Sequence, residues 1–95
     1  MIIRVLIKRK YPVDKFKVLK ELINQLRSTT AGQPGYISGE TLLRLDQDGE
    51  SLVISKWKSR TDWDRWYAQP ERDIIQKKID NLVGSRTVYE IYGYE

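Results

Sequence analysis

The stretch Ser51-Leu-Val-Ile-Ser-Lys-Trp-Lys-Ser-Arg-Thr-Asp-Trp-Asp-Arg-Trp66 joins a strand pattern directly to a helix pattern. Its first half is rich in the branched aliphatic residues that favour strands. Ser59-Arg-Thr-Asp62 has the serine cap and the acidic third position with which helices commonly begin. The three tryptophans of the chain all lie in this stretch. We therefore expect a strand from Ser51 to Lys58, a helix from about Arg60, and any pocket to form near their junction.

A hairpin connects this strand to the one before it. Asp46-Gln-Asp-Gly-Glu50 contains an Asp-Gly turn signal, and the preceding run from Tyr36 to Leu45 alternates as strands do. Gly39 interrupts that run, as glycine does at a bulge or where another backbone or a ligand comes close. Period-two geometry predicts that Tyr36 lies on the face opposite Gly39, with the even-numbered residues as far as Arg44.

The outer parts of the chain add two helices and two strands. Met1 to Arg9 alternates as a strand with one apolar face, and an amphipathic helix runs from about Val13 to Gly32. Pro70 restarts a helix after the tryptophans, because proline is tolerated in a first turn. The apolar stripe expected for that helix consists of Ile74, Ile75, Ile79 and Leu82. Ser85 to Glu95 reads as the last strand.

The order strand, helix, strand, strand, helix, strand predicts one α+β domain over residues 1–95 of the ferredoxin-like type. Its four-stranded antiparallel sheet carries the helices on one face. The strands supply apolar or aromatic residues to both faces, so a monomer would expose an apolar sheet face that favours association. We expect a homodimer that buries this sheet face and closes a dimeric α/β barrel.

Composition excludes several kinds of site. The chain has no cysteine and no histidine, which removes disulfides, thiolate catalysis, the usual proton shuttle and the commonest ligands of zinc and haem iron. We expect no metal and no cofactor. The chain shows neither a membrane-spanning run nor a secretion signal, so a cytoplasmic location and no membrane partner are expected. The net charge of +4 comes from basic residues scattered among acidic ones, which does not favour nucleic acid as a partner.

Several of these residues match a known family pattern. Pro34-Gly35-Tyr36 opens the second strand, Trp57 ends the third in Ser-Lys-Trp-Lys-Ser, and a helix with Trp66 restarts at Pro70. Over nearly its whole length the chain resembles the antibiotic biosynthesis monooxygenase family of small dimeric α+β barrels. The resemblance implies a cofactor-independent monooxygenase that acts on a quinol or a polycyclic phenol held in an aromatic cavity.

The resemblance also implies a set of substrate-binding residues. Trp66 is the position that matches the family motif. Strand and helix faces add Tyr36, Trp63 and Tyr67 to the cavity lining, and Arg44 or Arg86 as the group that stabilises a phenolate by charge-assisted hydrogen bonding. No catalytic residue is assigned. The apolar or aromatic small molecule held there is the second expected partner beside the homodimer.

Other functions stay open at this point. One is a non-catalytic dimeric barrel that binds a small ligand or serves a structural purpose. A haem-degrading enzyme fits less well, because Gln76 stands where that branch of the family has a histidine. An RNA-binding module also fits less well, because Ser51 to Lys58 lacks the glycine-containing aromatic run of such domains.

Overall fold

The computed structural model describes residues 1–95, which form four strands and three helices. The strands are β1 (Ile3–Lys10), β2 (Tyr36–Leu43), β3 (Glu50–Trp57) and β4 (Val88–Gly93). The helices are α1 (Phe16–Ala31), α2 (Arg60–Tyr67) and α3 (Pro70–Val83), and a short 3₁₀ turn precedes α1. The predicted ferredoxin-like α+β order is confirmed, with the second helical segment divided at Pro70.

The sheet is antiparallel throughout and has the strand order β2-β3-β1-β4. Strand β1, one of the two central strands, buries its odd-numbered side chains, and Ile3 on this face pairs with Trp57 of β3. One core cluster joins Ile3, Val5 and Ile7 to the three tryptophans. A second cluster, which includes Leu19 of α1 and Ile79 of α3, holds these two helices together.

A bulge in β2 changes the predicted facing of Tyr36. Tyr36 pairs with Trp57 and Ser38 pairs with Lys56, so Ile37 is an extra residue in β2. The extra residue shifts the alternation by one position and puts Tyr36 on the same face as Gly39. The prediction that these two residues lie on opposite faces was therefore wrong. The strand also ends at Leu43, and Leu45 is exposed in the hairpin connection.

Helix α2 begins as its sequence predicts, because the Ser59 hydroxyl accepts a hydrogen bond from the Asp62 backbone N–H at 3.1 Å. The predicted stripe of α3 needs correction. Its buried residues are Arg72, Gln76, Ile79 and Val83, whereas Ile74 is exposed. Two polar side chains thus take inward positions in α3, and both reach the site described below.

The face of the sheet opposite the helices carries a broad apolar surface. Leu6, Leu52 and Ile54 are half-buried there, and Val88 and Tyr92 of β4 are exposed. We call these five residues the outer face. Among the helices, none has the length and apolar character needed to cross a membrane.

Candidate functional site

A cavity lies between the inner face of the sheet and the helices. Trp63 and Trp66 are three residues apart on α2, so both rings project from one side of that helix toward the sheet. Both are buried and line the cavity together with Tyr36 and with Ile7 and Val53 of the sheet. The serine cap at Ser59 fixes where α2 begins and thereby where these two indoles lie.

The cavity is small and has a polar mouth. Its volume, measured for the centres of water-sized spheres, is about 50 Å³. Exposed residues of α1 and β2, among them Arg27 and Glu40, line it at the surface. Arg27 Nη2 donates a hydrogen bond of 3.2 Å to the carbonyl of Gly39 and so connects α1 to β2. This space holds a few water molecules, whereas pockets for drug-sized ligands are roughly 300 Å³ or more.

Two arginines line the buried part of the cavity. Arg9 of β1 is 3% exposed and Arg72 of α3 is 5% exposed. Arg9 continues the buried odd-numbered face of β1 beyond Ile7. Arg72 donates from Nε to the Tyr67 carbonyl at 2.8 Å, and its guanidinium lies 4.2 Å from the centre of the Tyr67 ring. Both charged groups are therefore fixed in place by the fold.

Gln76 links the arginines through a buried hydrogen-bond network. Its Oε1 accepts hydrogen bonds from Arg9 Nη2 and from the Tyr89 hydroxyl, both at 3.1 Å. Arg72 Nη1 donates to the same Tyr89 hydroxyl at 3.1 Å. The amide nitrogen of Gln76 donates to Asp80 and to Thr87, each at 2.9 Å. Because arginine only donates, the amide oxygen of Gln76 must face Arg9.

Burial has the largest effect on the pKa values of Arg9 and Tyr89 in this network. It lowers the pKa of the Arg9 guanidinium; Tyr89 and Asp80 oppose this decrease, and repulsion from Arg72 adds to it. Burial also raises the pKa of the Tyr89 phenol, although the nearby charges of Arg72 and Arg9 oppose that rise. Tyr89 therefore stays a neutral hydroxyl at neutral pH.

The family of the chain follows from its sequence. A family model described as antibiotic biosynthesis monooxygenase matches residues 2–78, which is most of the chain. This chain belongs to the antibiotic biosynthesis monooxygenase family. No curated protein matches it in sequence.

Solved structures agree with this antibiotic biosynthesis monooxygenase fold. A conserved protein from Methanosarcina mazei has a TM-score of 0.92 at 19% identity, over 100% of this chain and 94% of that one. SnoaB, a cofactor-independent oxygenase from Streptomyces nogalater, has a TM-score of 0.86 at 15% identity, over 98% and 92% of the two chains. Rv0793 from Mycobacterium tuberculosis has a TM-score of 0.88 at 16% identity, over 100% and 96%. Likeness at such low identity concerns the fold alone.

Three of the substrate-binding residues expected from the family resemblance line the cavity: Trp66, Trp63 and Tyr36. Tyr67 does not line it. That residue is 44% exposed, and its ring packs against Trp63 and Tyr89 beside the guanidinium of Arg72. Its contribution is to hold the neighbouring residues in position.

Arg44 and Arg86 also lie outside the cavity. Arg44 is exposed after the end of β2 and forms ion pairs with Asp46 and Glu50. Hydrogen bonds and charge attraction from these two acids raise the pKa of Arg44 and, in return, Arg44 lowers the pKa of Asp46. Arg86 is exposed and lines a groove of about 600 Å³ with Arg44 and Val88. Neither arginine reaches the aromatic rings of α2.

Gln76 stands at the position matched to a histidine in the haem-degrading branch of the antibiotic biosynthesis monooxygenase family. Its amide oxygen accepts two hydrogen bonds and its amide nitrogen donates two, so the hydrogen-bonding capacity of the amide is satisfied within the protein. Glutamine in this state is not free to bind iron at the matched histidine position. The structure has no group of three or more acidic side chains that could hold a metal ion.

Proposed function

We propose that this chain is a monooxygenase that works without metal or flavin and oxidises a quinol or a polycyclic phenol. The observation that carries the proposal is the cavity walled by Trp63, Trp66 and Tyr36 in a chain of the antibiotic biosynthesis monooxygenase family. Flat aromatic substrates gain most from such walls, because ring pairs attract beyond simple burial. A non-catalytic ligand-binding barrel is the competing function.

The chemistry that fits the site uses the substrate as its own source of electrons. Anthrone, whose enol form is a polycyclic phenol, loses a proton to form an electron-rich anion, which then reacts with dioxygen. One oxygen atom forms the new carbonyl, and the two substrate hydrogens leave with the other oxygen atom as water. Only a fraction of the bound substrate must be deprotonated at any moment, and the positive charges of Arg9 and Arg72 favour that fraction.

A substrate of this size requires the cavity to widen. The mouth is formed by α1 and by β2, which is an edge strand of the sheet. A single hydrogen bond, from Arg27 to the Gly39 carbonyl, joins these two elements. Its energy is modest because Arg27 is exposed to water. We therefore propose that α1 and β2 separate at this point to admit the ligand.

We further propose that the protein is a homodimer that buries the outer face. This apolar surface has no covering element within the chain. A second copy would cover it around a two-fold axis and leave the cavity, on the other side of the sheet, accessible. The dimer would then stabilise the sheet that carries the site.

The test is oxygen consumption by the purified protein with anthrone and a panel of quinols, without added metal or flavin. We expect turnover with at least one compound, and a loss of about tenfold or more in kcat/KM in Trp66→Leu, since loss of one aromatic stacking partner costs about 1.4 kcal/mol. Tyr11→Leu is the matched control, because the half-buried Tyr11 ring packs against Phe16 and does not line the cavity. Binding of the same compounds without oxygen consumption would favour the non-catalytic barrel.

A further inference from the structure

The buried part of the cavity carries more positive than negative charge. Arg9 and Arg72 are both nine-tenths or more buried, and neither forms an ion pair with a carboxylate. The acceptors of their hydrogen bonds are an amide oxygen, a backbone carbonyl and a hydroxyl, all of them neutral. Proteins seldom bury charges without a counterion, because removing a charge from water is costly.

Arg9 also has an unused donor. Its Nε is buried and has no hydrogen-bond partner in the protein, although Arg9 lines the cavity. A buried donor without an acceptor is uncommon in folded proteins and indicates a missing partner. A ligand oxygen in the cavity would supply that partner.

The acids around the network do not neutralise it. Asp80 is exposed and accepts its hydrogen bond from the Gln76 amide; its charge favours the charged form of Arg9, but it contacts neither guanidinium and burial outweighs it. Glu40 pairs with Ile54 of the outer face, so its side chain projects from β2 on the side away from the two arginines. The buried part of the cavity therefore attracts an anion.

We infer that Arg9 and Arg72 form a carboxylate-binding site, so that the ligand of this cavity is an aromatic molecule bearing a carboxylate. The inference rests on the proposed function only in taking the same cavity as the ligand site. Arginine suits this purpose, because its planar fork of donors matches the two oxygens of a carboxylate. The aromatic part of the ligand would then lie against Trp63 and Trp66.

A carboxylate fits this site better than a phenolate for a reason that Tyr89 illustrates. The Tyr89 phenol contacts Arg72 directly and shares Gln76 with Arg9, yet burial still raises its pKa. Burial would likewise raise the pKa of a ligand phenol in these surroundings and disfavour its ionised form. A carboxylic acid has an ordinary pKa of about 4, against about 10 for a phenol, so it enters already ionised.

The test compares three probes of one shape: 2-naphthoate, 2-naphthamide and 2-naphthol. Binding at neutral pH is followed by isothermal titration and by quenching of tryptophan fluorescence, since Trp63 and Trp66 line the cavity. We expect 2-naphthoate to bind about tenfold or more tightly than 2-naphthamide. Equal affinities, or no binding of 2-naphthoate, would overturn the inference. Tighter binding of 2-naphthol than of 2-naphthoate would also overturn it and point to a phenolate site.

Variants assign the preference to the two arginines. Arg9→Met and Arg72→Met should each bind 2-naphthoate no better than 2-naphthamide, while Arg44→Met should keep the preference, because Arg44 lies outside the cavity. Circular dichroism and retained binding of 2-naphthamide show that a variant is folded. If Arg72→Met does not fold, Arg9→Met alone tests the assignment. A preference for 2-naphthoate over 2-naphthamide that persists in Arg9→Met would refute it.

Failure of the carboxylate site and failure of the proposed monooxygenase activity give different results. Arginine-dependent binding of 2-naphthoate together with no oxygen consumption by any quinol or phenol would support the carboxylate site and reject the monooxygenase. Turnover of uncarboxylated quinols with no preference for 2-naphthoate would do the reverse.

Discussion

Arg9 of β1 and Gln76 of α3 meet inside the protein through a hydrogen bond of 3.1 Å from Nη2 to Oε1. The bond leaves the Arg9 Nε without a partner, and the same Gln76 oxygen also accepts from Tyr89. The amide therefore keeps an acceptor contact even if Arg9 is removed. A guanidinium held in this way adds little to stability and is available to a ligand.

The first prediction concerns the stability of Arg9→Met. Methionine preserves the length of the side chain and removes a buried charge that lacks a counterion, so the free energy of unfolding should stay within about 1 kcal/mol of the parent or rise. Urea denaturation without ligand measures it.

Arg72→Met is the contrasting variant. Loss of the Arg72 guanidinium leaves the Tyr67 carbonyl without its hydrogen-bond donor and removes a cation from the Tyr67 ring. We expect a decrease of roughly 1 to 3 kcal/mol in the free energy of unfolding. A decrease of more than about 2 kcal/mol in Arg9→Met would instead make Arg9 a structural residue.

The close contact between Tyr36 and Gly39 gives the second prediction. A Cβ added at Gly39 would lie 2.6 Å from the Tyr36 hydroxyl, so Gly39→Ala must displace the Tyr36 ring from its place in the cavity wall. We expect weaker binding of aromatic probes by fluorescence titration, with the fold intact. Gly32→Ala is the control, since an added Cβ there meets no atom closer than 3.9 Å. Unchanged affinity in Gly39→Ala would show that Tyr36 does not shape the site.

The third prediction concerns access to the cavity. Arg27→Ala removes the hydrogen bond between α1 and β2, so probe association in stopped-flow fluorescence should become faster. Stability should change by less than about 1 kcal/mol, because the bond is exposed. Lys20→Ala, an exposed change on the same helix, should leave the association rate unaltered. Slower or equal association in Arg27→Ala would place the entrance elsewhere.

The fourth prediction tests the homodimer. Val88 on the outer face and Val18 on α1 are almost equally exposed, at 46% and 47%. Val88→Glu puts a charge into the proposed interface and should produce monomers, while Val18→Glu should remain dimeric. Light scattering at micromolar concentration gives the mass of each. A monomeric parent protein would contradict the dimer outright.

The sequence predicted the elements of the fold well, because their hydrophobic periods are clear. The alternation of Ile3, Val5 and Ile7 and the cap at Ser59 both appear where they were expected. The facing of Tyr36 was not predictable in the same way. Period two holds only for a regular strand, and Gly39, which indicates a possible bulge, does not show that the extra residue is Ile37.

The two buried arginines were missed, although each had a signal. Arg9 continues the period of Ile7 by two positions, and Arg72 and Gln76 share a helical spacing with Ile79 and Val83. Arginine and glutamine usually lie at the surface, so composition argued against burial. Only the packed structure reveals that their partners are neutral groups, and that fact gives the cavity its charge.

The measurement that tests the central claim most directly is the fate of isotopically labelled dioxygen during incubation of the purified, metal-free protein with anthrone. We predict a product that carries one labelled oxygen atom, formed by the parent protein and by Tyr11→Leu and strongly reduced in Trp66→Leu. Product without label, or formation at the same rate in Trp66→Leu, would contradict oxygenation in the aromatic cavity.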